Sequence, residues 1–135
     1  MRSKLNPIKN PRFVLAYPPQ QYARTEQIRP DATLAIAYLD SALSAAGYES
    51  RIVDMSLGTD RDRLADTFYR EVELPNGLVR IGMSAERILE EVRHCDVVAL
   101  SSVFTQQTSR CFEVAELIKQ AYPEKLIIAG GVNAR

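Results

Sequence analysis

Chemistry-bearing side chains are sparse in this sequence, and their positions suit binding better than catalysis. The lone histidine, His94, immediately precedes an apolar run, Asp96 to Leu100, that reads as a buried strand. His94 therefore falls at the amino end of a sheet and reads as a helix C-terminal residue, not a catalytic base or metal ligand. Cys95 and Cys111 are the only thiols. Their spacing fits neither a disulfide framework nor a zinc site. Cys111 lies on an apolar helix face and Cys95 opens a buried strand, so both read as inert core thiols. Acids are spread over predicted helix surfaces without a convincing catalytic pair. Asp54, at the end of a strand, reads as a loop cap, with a ribose hydroxyl contact as the alternative. Neither Gly-x-Gly-x-x-Gly nor Gly-x-x-x-x-Gly-Lys occurs, so there is no sign of the two common phosphate cradles. No catalytic residue and no metal ligand is assigned.

Three short segments carry the remaining signal: Tyr17-Pro18-Pro19-Gln20, Ser101-Ser102-Val103-Phe104-Thr105, and Gly130-Gly131-Val132-Asn133. Each directly follows an apolar run. In open parallel sheets, ligands bind beyond the carboxyl ends of the strands, and all three segments reach that edge. Each also has a purely structural reading. The prolines stop a strand, the hydroxyls satisfy loop backbone or cap a helix, and the glycines make a turn. Paired glycines after a buried strand also let a flat ligand approach the backbone.

The elements that must position these segments follow from pattern. Arg12-Phe13-Val14-Leu15-Ala16-Tyr17 reads as a buried strand closed by Pro18-Pro19. Gln20 to Pro30 is polar and long for a strand-to-helix loop. Asp31 is placed to cap a helix whose Ile36, Leu39, Leu43 and Ala46 recur at helical spacing, with Gly47 as its stop. Ser50 to Asp54 reads as a second strand. Asp60 to Glu71 is readable as a helix with Leu64, Ala65 and Phe68 inward, and Leu74-Pro75-Asn76-Gly77-Leu78 as a small hairpin; residues 55 to 82 look like an insertion. Ser84 caps a helix with Ile88, Leu89 and Val92 inward. Asp96 to Leu100 is a central strand covered on both faces. Gln106 to Tyr122 is a helix, ended by Pro123. Leu126 to Ala129 is the fourth strand. Strands alternating with helices predict an α/β fold, a flavodoxin-like (Rossmann-like) doubly wound parallel sheet. That fold ordinarily has five strands, so the expectation is a domain truncated after its fourth, with an exposed edge available for self-association.

The sequence has 135 residues, 46% hydrophobic and 25% charged, with zero formal net charge and a pI near 6.6. One domain over residues 12–135, preceded by an arm at 1–11, fits that length. Without a basic stripe, nucleic-acid binding is not expected. No run of 18 apolar residues argues for a membrane span. The N-terminus lacks the apolar centre of a signal peptide, and a reduced, cytoplasmic protein is the simplest reading.

Taken in order, the motifs resemble a known family. Val14-Leu15-Ala16-Tyr17-Pro18-Pro19, Leu34-Ala35-Ile36-Ala37-Tyr38-Leu39, Ala46-Gly47-Tyr48-Glu49 and Ile52-Val53-Asp54 look like the opening of the cobalamin-binding (vitamin B12-binding) domain that precedes radical SAM (S-adenosylmethionine) catalytic domains. Cys95 to Ser102 with Phe104-Thr105, and Ile127-Ile128-Ala129-Gly130-Gly131-Val132-Asn133-Ala134, are similar to its middle and end. The resemblance spans about residues 12 to 134. It implies a domain holding cobalamin over the carboxyl edge, contacted by the three segments above. Asp-x-His-x-x-Gly, the motif whose histidine supplies a lower cobalt ligand in other cobalamin proteins, is absent, so the resemblance implies base-off cobalamin without a histidine ligand. Family members commonly carry histidine where Asn133 stands. The cluster motif Cys-x-x-x-Cys-x-x-Cys is absent too. A [4Fe-4S] cluster and S-adenosylmethionine are therefore expected only in a downstream radical SAM domain of a parent enzyme, a methyltransferase or related radical enzyme. Two alternatives stand beside this one. One is a cofactor-free docking or structural domain of the same fold. The other is a flavin or nucleotide-sugar pocket on the same edge.

Overall fold

The computed structural model describes residues 7–30 and 34–132. A four-stranded parallel sheet forms its centre: β1 (Phe13–Tyr17), β3 (Ser50–Asp54), β6 (Val97–Ser101) and β7 (Leu126–Gly130), in the order β3-β1-β6-β7. Parallel pairing sets Phe13 opposite both Ser50 and Val97, and Leu100 opposite Ala129. With helices on both faces, this is an α/β flavodoxin-like fold, as the alternating pattern predicts.

Period-two alternation splits the sheet's side chains between two cores. Val14, Ala16, Val53, Val98 and Leu100 pack against α2 (Ala85–Val92) and α3 (Thr108–Ala121), chiefly Ile88, Val92, Val114 and Ile118. Each of those four helical side chains is fully buried and contributes roughly 2 kcal/mol of hydrophobic stabilisation. Leu15 and Tyr17 face the other way, onto Ile36 and Leu43 of α1 (Leu34–Ala45). Cys95 and Cys111 belong to the first core, as expected. Ser84 caps α2, its hydroxyl accepting from the Arg87 N–H at 3.3 Å. Helix α1 ends as predicted at Gly47, whose φ of 85° turns the chain so that the Tyr48 N–H reaches the Leu43 carbonyl at 3.0 Å. Asp31, the expected cap of α1, lies outside the described residues.

Three expectations change. Gln20 to Pro30 is not all loop, because Gln20–Tyr22 forms strand β2. That strand pairs antiparallel with β5 (Val79–Ile81), which pairs with β4 (Val72–Glu73) in a second sheet of order β2-β5-β4. The predicted hairpin is thus present, turned at Gly77 with φ 83°. Asp60 to Glu71 is not a helix. It makes one 3-10 turn, Leu64–Asp66, with Leu64 and Ala65 exposed and, of the three expected inward residues, Phe68 alone buried. Its backbone serves the small sheet instead, since the Thr67 carbonyl accepts from the Gly82 N–H at 3.0 Å. Finally, α3 begins at Thr108, with the residues before it, Thr105–Gln107, in a 3-10 turn.

Candidate functional site at the carboxyl edge

All three predicted segments lie at the carboxyl edge of the large sheet, but their exposure differs. Tyr17, Pro18, Pro19 and Gln20 are buried. Tyr17 packs on α1, Gln20 belongs to β2, and Pro19 lies against Gly82. Met55 donates its N–H to the Tyr17 carbonyl at 2.8 Å and accepts from the Met83 N–H at 2.7 Å. Gly82 fits against this crossing because it lacks a side chain; a Cβ there would stand 2.5 Å from the Met55 carbonyl oxygen and 3.0 Å from the Pro19 ring.

Strand β2 is bolted to the start of α3 by amide groups. The Gln21 N–H donates to Gln107 Oε1 at 2.7 Å, and Gln107 Nε2 donates back to the Gln21 carbonyl at 2.9 Å. Gln21 Nε2 reaches the Gln106 carbonyl at 2.6 Å and Ser109 Oγ at 3.0 Å. The Gln107 side chain thus satisfies a strand edge as a neighbouring backbone would. Beside this joint, Arg80 is buried and donates to Glu113 at 3.1 Å and to the Met83 carbonyl at 3.0 Å. Burial works against its charge, and Glu113 supports it.

The other two loops form the open part of the edge. Ser101 and Val103 are half-buried, whereas Phe104, Thr105, Gly130, Gly131 and Val132 are exposed. Asn133 lies outside the described residues. Ser102 is buried, its N–H donating to the Gly130 carbonyl at 2.7 Å. Among the described residues the Gln20 Nε2 group makes no hydrogen bond.

The two glycines differ in their reasons for being glycine. Gly131 has φ 106°, and a Cβ on it would lie 2.5 Å from the Ser102 carbonyl oxygen. Its own backbone therefore requires glycine. A Cβ on Gly130 would meet nothing within 4 Å. Among the described residues, nothing requires that residue to be small.

Gly130 lines the carboxyl-edge end of an apolar slot of about 370 Å³ between α1 and the sheet. Leu15, Ile36, Leu39, Ala99 and Val103 line its length. Of these, only Val103 was a predicted site residue. Leu15, Ile36 and Leu39 read from sequence as core, and their sharing of an open slot depends on how α1 sits across the sheet.

Asp54 caps its loop, accepting from the Ser56 N–H at 2.9 Å, the Ser56 hydroxyl at 2.6 Å and the Leu57 N–H at 3.2 Å. His94 is exposed in the turn after α2, beside Arg12 and Glu49 at the amino edge. Burial pushes both thiols up from their ordinary range. Among the described residues no cluster of His, Cys, Asp or Glu is arranged to hold a metal ion, and no helix is long and apolar enough to cross a membrane.

Among the described residues, this edge of the α/β domain offers an apolar slot lined by glycine and no assembled acid–base or nucleophilic group. Comparison with known proteins gives one distant likeness. The chain is 26% identical over 132 residues to the cytidylyl-2-hydroxyethylphosphonate methyltransferase of Streptomyces wedmorensis, covering 86% of this chain and 23% of that protein. It thus spans under a quarter of the length of the curated relative it matches. No family model and no solved structure matches the chain.

Proposed function

We propose that this chain is the cobalamin-binding module of a radical SAM enzyme, with a methyltransferase as the parent. The observation that carries this reading is Gly130. A glycine with open space around it, at the mouth of an apolar slot beside the strand ends, suits a ligand that slides along the backbone. Pocket chemistry agrees, because a largely apolar slot suits the uncharged, flat end of a large cofactor. Ser101, Val103, Gly130 and Gly131 would hold cobalamin at the mouth, with Leu15, Ile36, Leu39 and Ala99 lining the space behind. When bound, cobalamin would supply a methyl-carrying cobalt centre. His94 stands at the opposite end of the sheet, in keeping with base-off cobalamin that takes no histidine ligand from this domain. The distant likeness to a methyltransferase supports the choice of parent. The [4Fe-4S] cluster and S-adenosylmethionine belong, on this reading, to a radical SAM domain elsewhere in the parent.

One observation favours the second reading, a cofactor-free docking domain: Tyr17 to Gln20, one of the three expected contact segments, is buried within the protein.

Equilibrium dialysis against hydroxocobalamin, read by corrin absorbance, separates the two. The protein should bind at micromolar concentration, and Gly130→Val should abolish binding with an unchanged far-ultraviolet circular dichroism spectrum. Folded protein that binds no corrin overturns the cobalamin reading and leaves the docking reading.

A further inference from the structure

Helix α1 lacks the charge of an ordinary surface helix. Its only charged side chain is Asp40, whose carboxylate accepts the Ser50 hydroxyl at 2.6 Å. Ile36 alone is buried. Leu34, Tyr38, Ala42 and Ala45 follow one another at helical spacing and are all exposed, Leu34 by 68% and Tyr38 by 69%. A helix that is apolar all round is ordinarily covered.

The sheet beside it is also uncovered. Parallel sheets ordinarily have both faces buried, yet Leu126 and Ile128 of β7 are 40% and 46% exposed on the α1 side. With Ile8, Phe13 and Val97 they line a groove of about 640 Å³. One chain thus presents a convex apolar helix and a concave apolar groove side by side on one face. A twofold axis parallel to the sheet, passing between them, turns the two faces towards each other and places each copy's helix on the other's groove. Such an interface is self-complementary, each contact occurring twice. The exposed apolar side chains of helix and groove amount to on the order of 600 Å² per copy, most of the roughly 800 Å² per partner that a stable interface buries.

We propose that a second copy of this chain covers this face, with α1 of each protomer lying in the β6–β7 groove of the other. The groove shares Phe13 and Ile128 with the slot behind Gly130, but the pairing rests on exposed apolar surface alone and not on the cobalamin reading.

Sedimentation velocity of the full chain, from low to high micromolar concentration, should show a dimer. Tyr38→Lys and Ile128→Asp, each at an exposed position, should give folded monomers. Mixing the two variants should restore association, because the new ammonium of one copy meets the new carboxylate of the other while the reciprocal contact stays apolar. A wild-type monomer at all concentrations overturns the proposal. So does a dimer that survives both substitutions, which would point to edge pairing through β7, or a mixture that fails to associate. A second measurement needs no variant. Amide hydrogen exchange in α1 should slow as protein concentration rises, and exchange independent of concentration refutes the pairing.

Discussion

Replacing Arg87 with Met should cost about 2–3 kcal/mol and should also change how the protein responds to acid. Arg87 sits between the loop after β3 and helix α2. It donates to Asp62 through Nε at 2.7 Å and Nη2 at 2.9 Å, and to Glu91 at 2.7 Å. The Glu91 side chain is wholly enclosed. Burial disfavours its charge, but the hydrogen bond from Arg87 and the ion pair with Arg51 more than offset this and hold the carboxyl below its ordinary range. Methionine keeps the volume and removes the charge. Breaking a buried ion pair from one side costs about 3–5 kcal/mol. Here the loss is smaller, because Arg87 is partly exposed and Arg51 remains 2.7 Å from Glu91. With a urea m-value of about 1.5 kcal/mol/M, the unfolding midpoint should fall by roughly 1.3–2 M. The Arg87 hydrogen bond also holds the Asp62 carboxyl well below its ordinary range. A carboxyl lowered in the folded state stabilises fully above its unfolded pKa, about 3.9, and that stabilisation is lost as pH falls through the folded value. Wild-type stability should therefore decline below about pH 4, and the Arg87→Met curve should be flatter there. A midpoint shift under roughly 0.5 M, or an unchanged acid slope, refutes the reasoning.

The two glycines of the binding edge should separate in thermal melts. Gly131→Ala should lose about 2 kcal/mol or more, because φ is positive and the Ser102 carbonyl occupies the space, whereas Gly130→Ala should stay within about 0.5 kcal/mol of wild type. Gln107→Leu should destabilise by about 1–3 kcal/mol by stranding the buried Gln21 amide and carbonyl, and hydrogen exchange at the Gln21 N–H should accelerate markedly; unchanged exchange there removes the bolt from the account. Cys95 and Cys111 are buried with raised pKa values, so a disulfide reagent at neutral pH should label both only on unfolding. Rapid labelling of either in the native state contradicts their place in the core.

The large sheet was legible in the sequence because its signals are local. Phe13 to Tyr17, Val97 to Leu100 and Leu126 to Ala129 are each unbroken apolar runs, and Ser84 and Gly47 mark helix ends within a few residues of what they cap. The small sheet was only half legible. Its hairpin carries an Asn-Gly signal, but the third strand, Gln20–Tyr22, pairs with Val79–Ile81 almost sixty positions away. Gln-Gln-Tyr has no alternation that marks a strand. Its edge is satisfied by the side chain of Gln107, a partner that no local pattern reveals. Asp60 to Glu71 failed for the related reason that Leu64 and Ala65 look like a helical face, while Asp62 is held by Thr59 and Arg87 and Thr67 bonds to Leu57.

These same contacts change what the edge can offer. In a bare doubly wound sheet, the crevice between the β1 and β6 loops is the natural ligand position. Here the Gln21–Gln107 amide pair and the Pro19–Gly82 contact fill the β1 side of that crevice with protein. What stays open lies on the α1 face of the sheet, in the slot lined by Gly130. Access on the β1 side would require breaking at least two buried hydrogen bonds, each costing about 1–3 kcal/mol to leave unmade, whereas access at Gly130 breaks none. A ligand should therefore enter at Gly130 and leave the small sheet in place. The Gln21 amide should exchange no faster in the presence of bound ligand than in its absence, and faster exchange on binding would mean that the small sheet lifts and the β1 crevice is the true site.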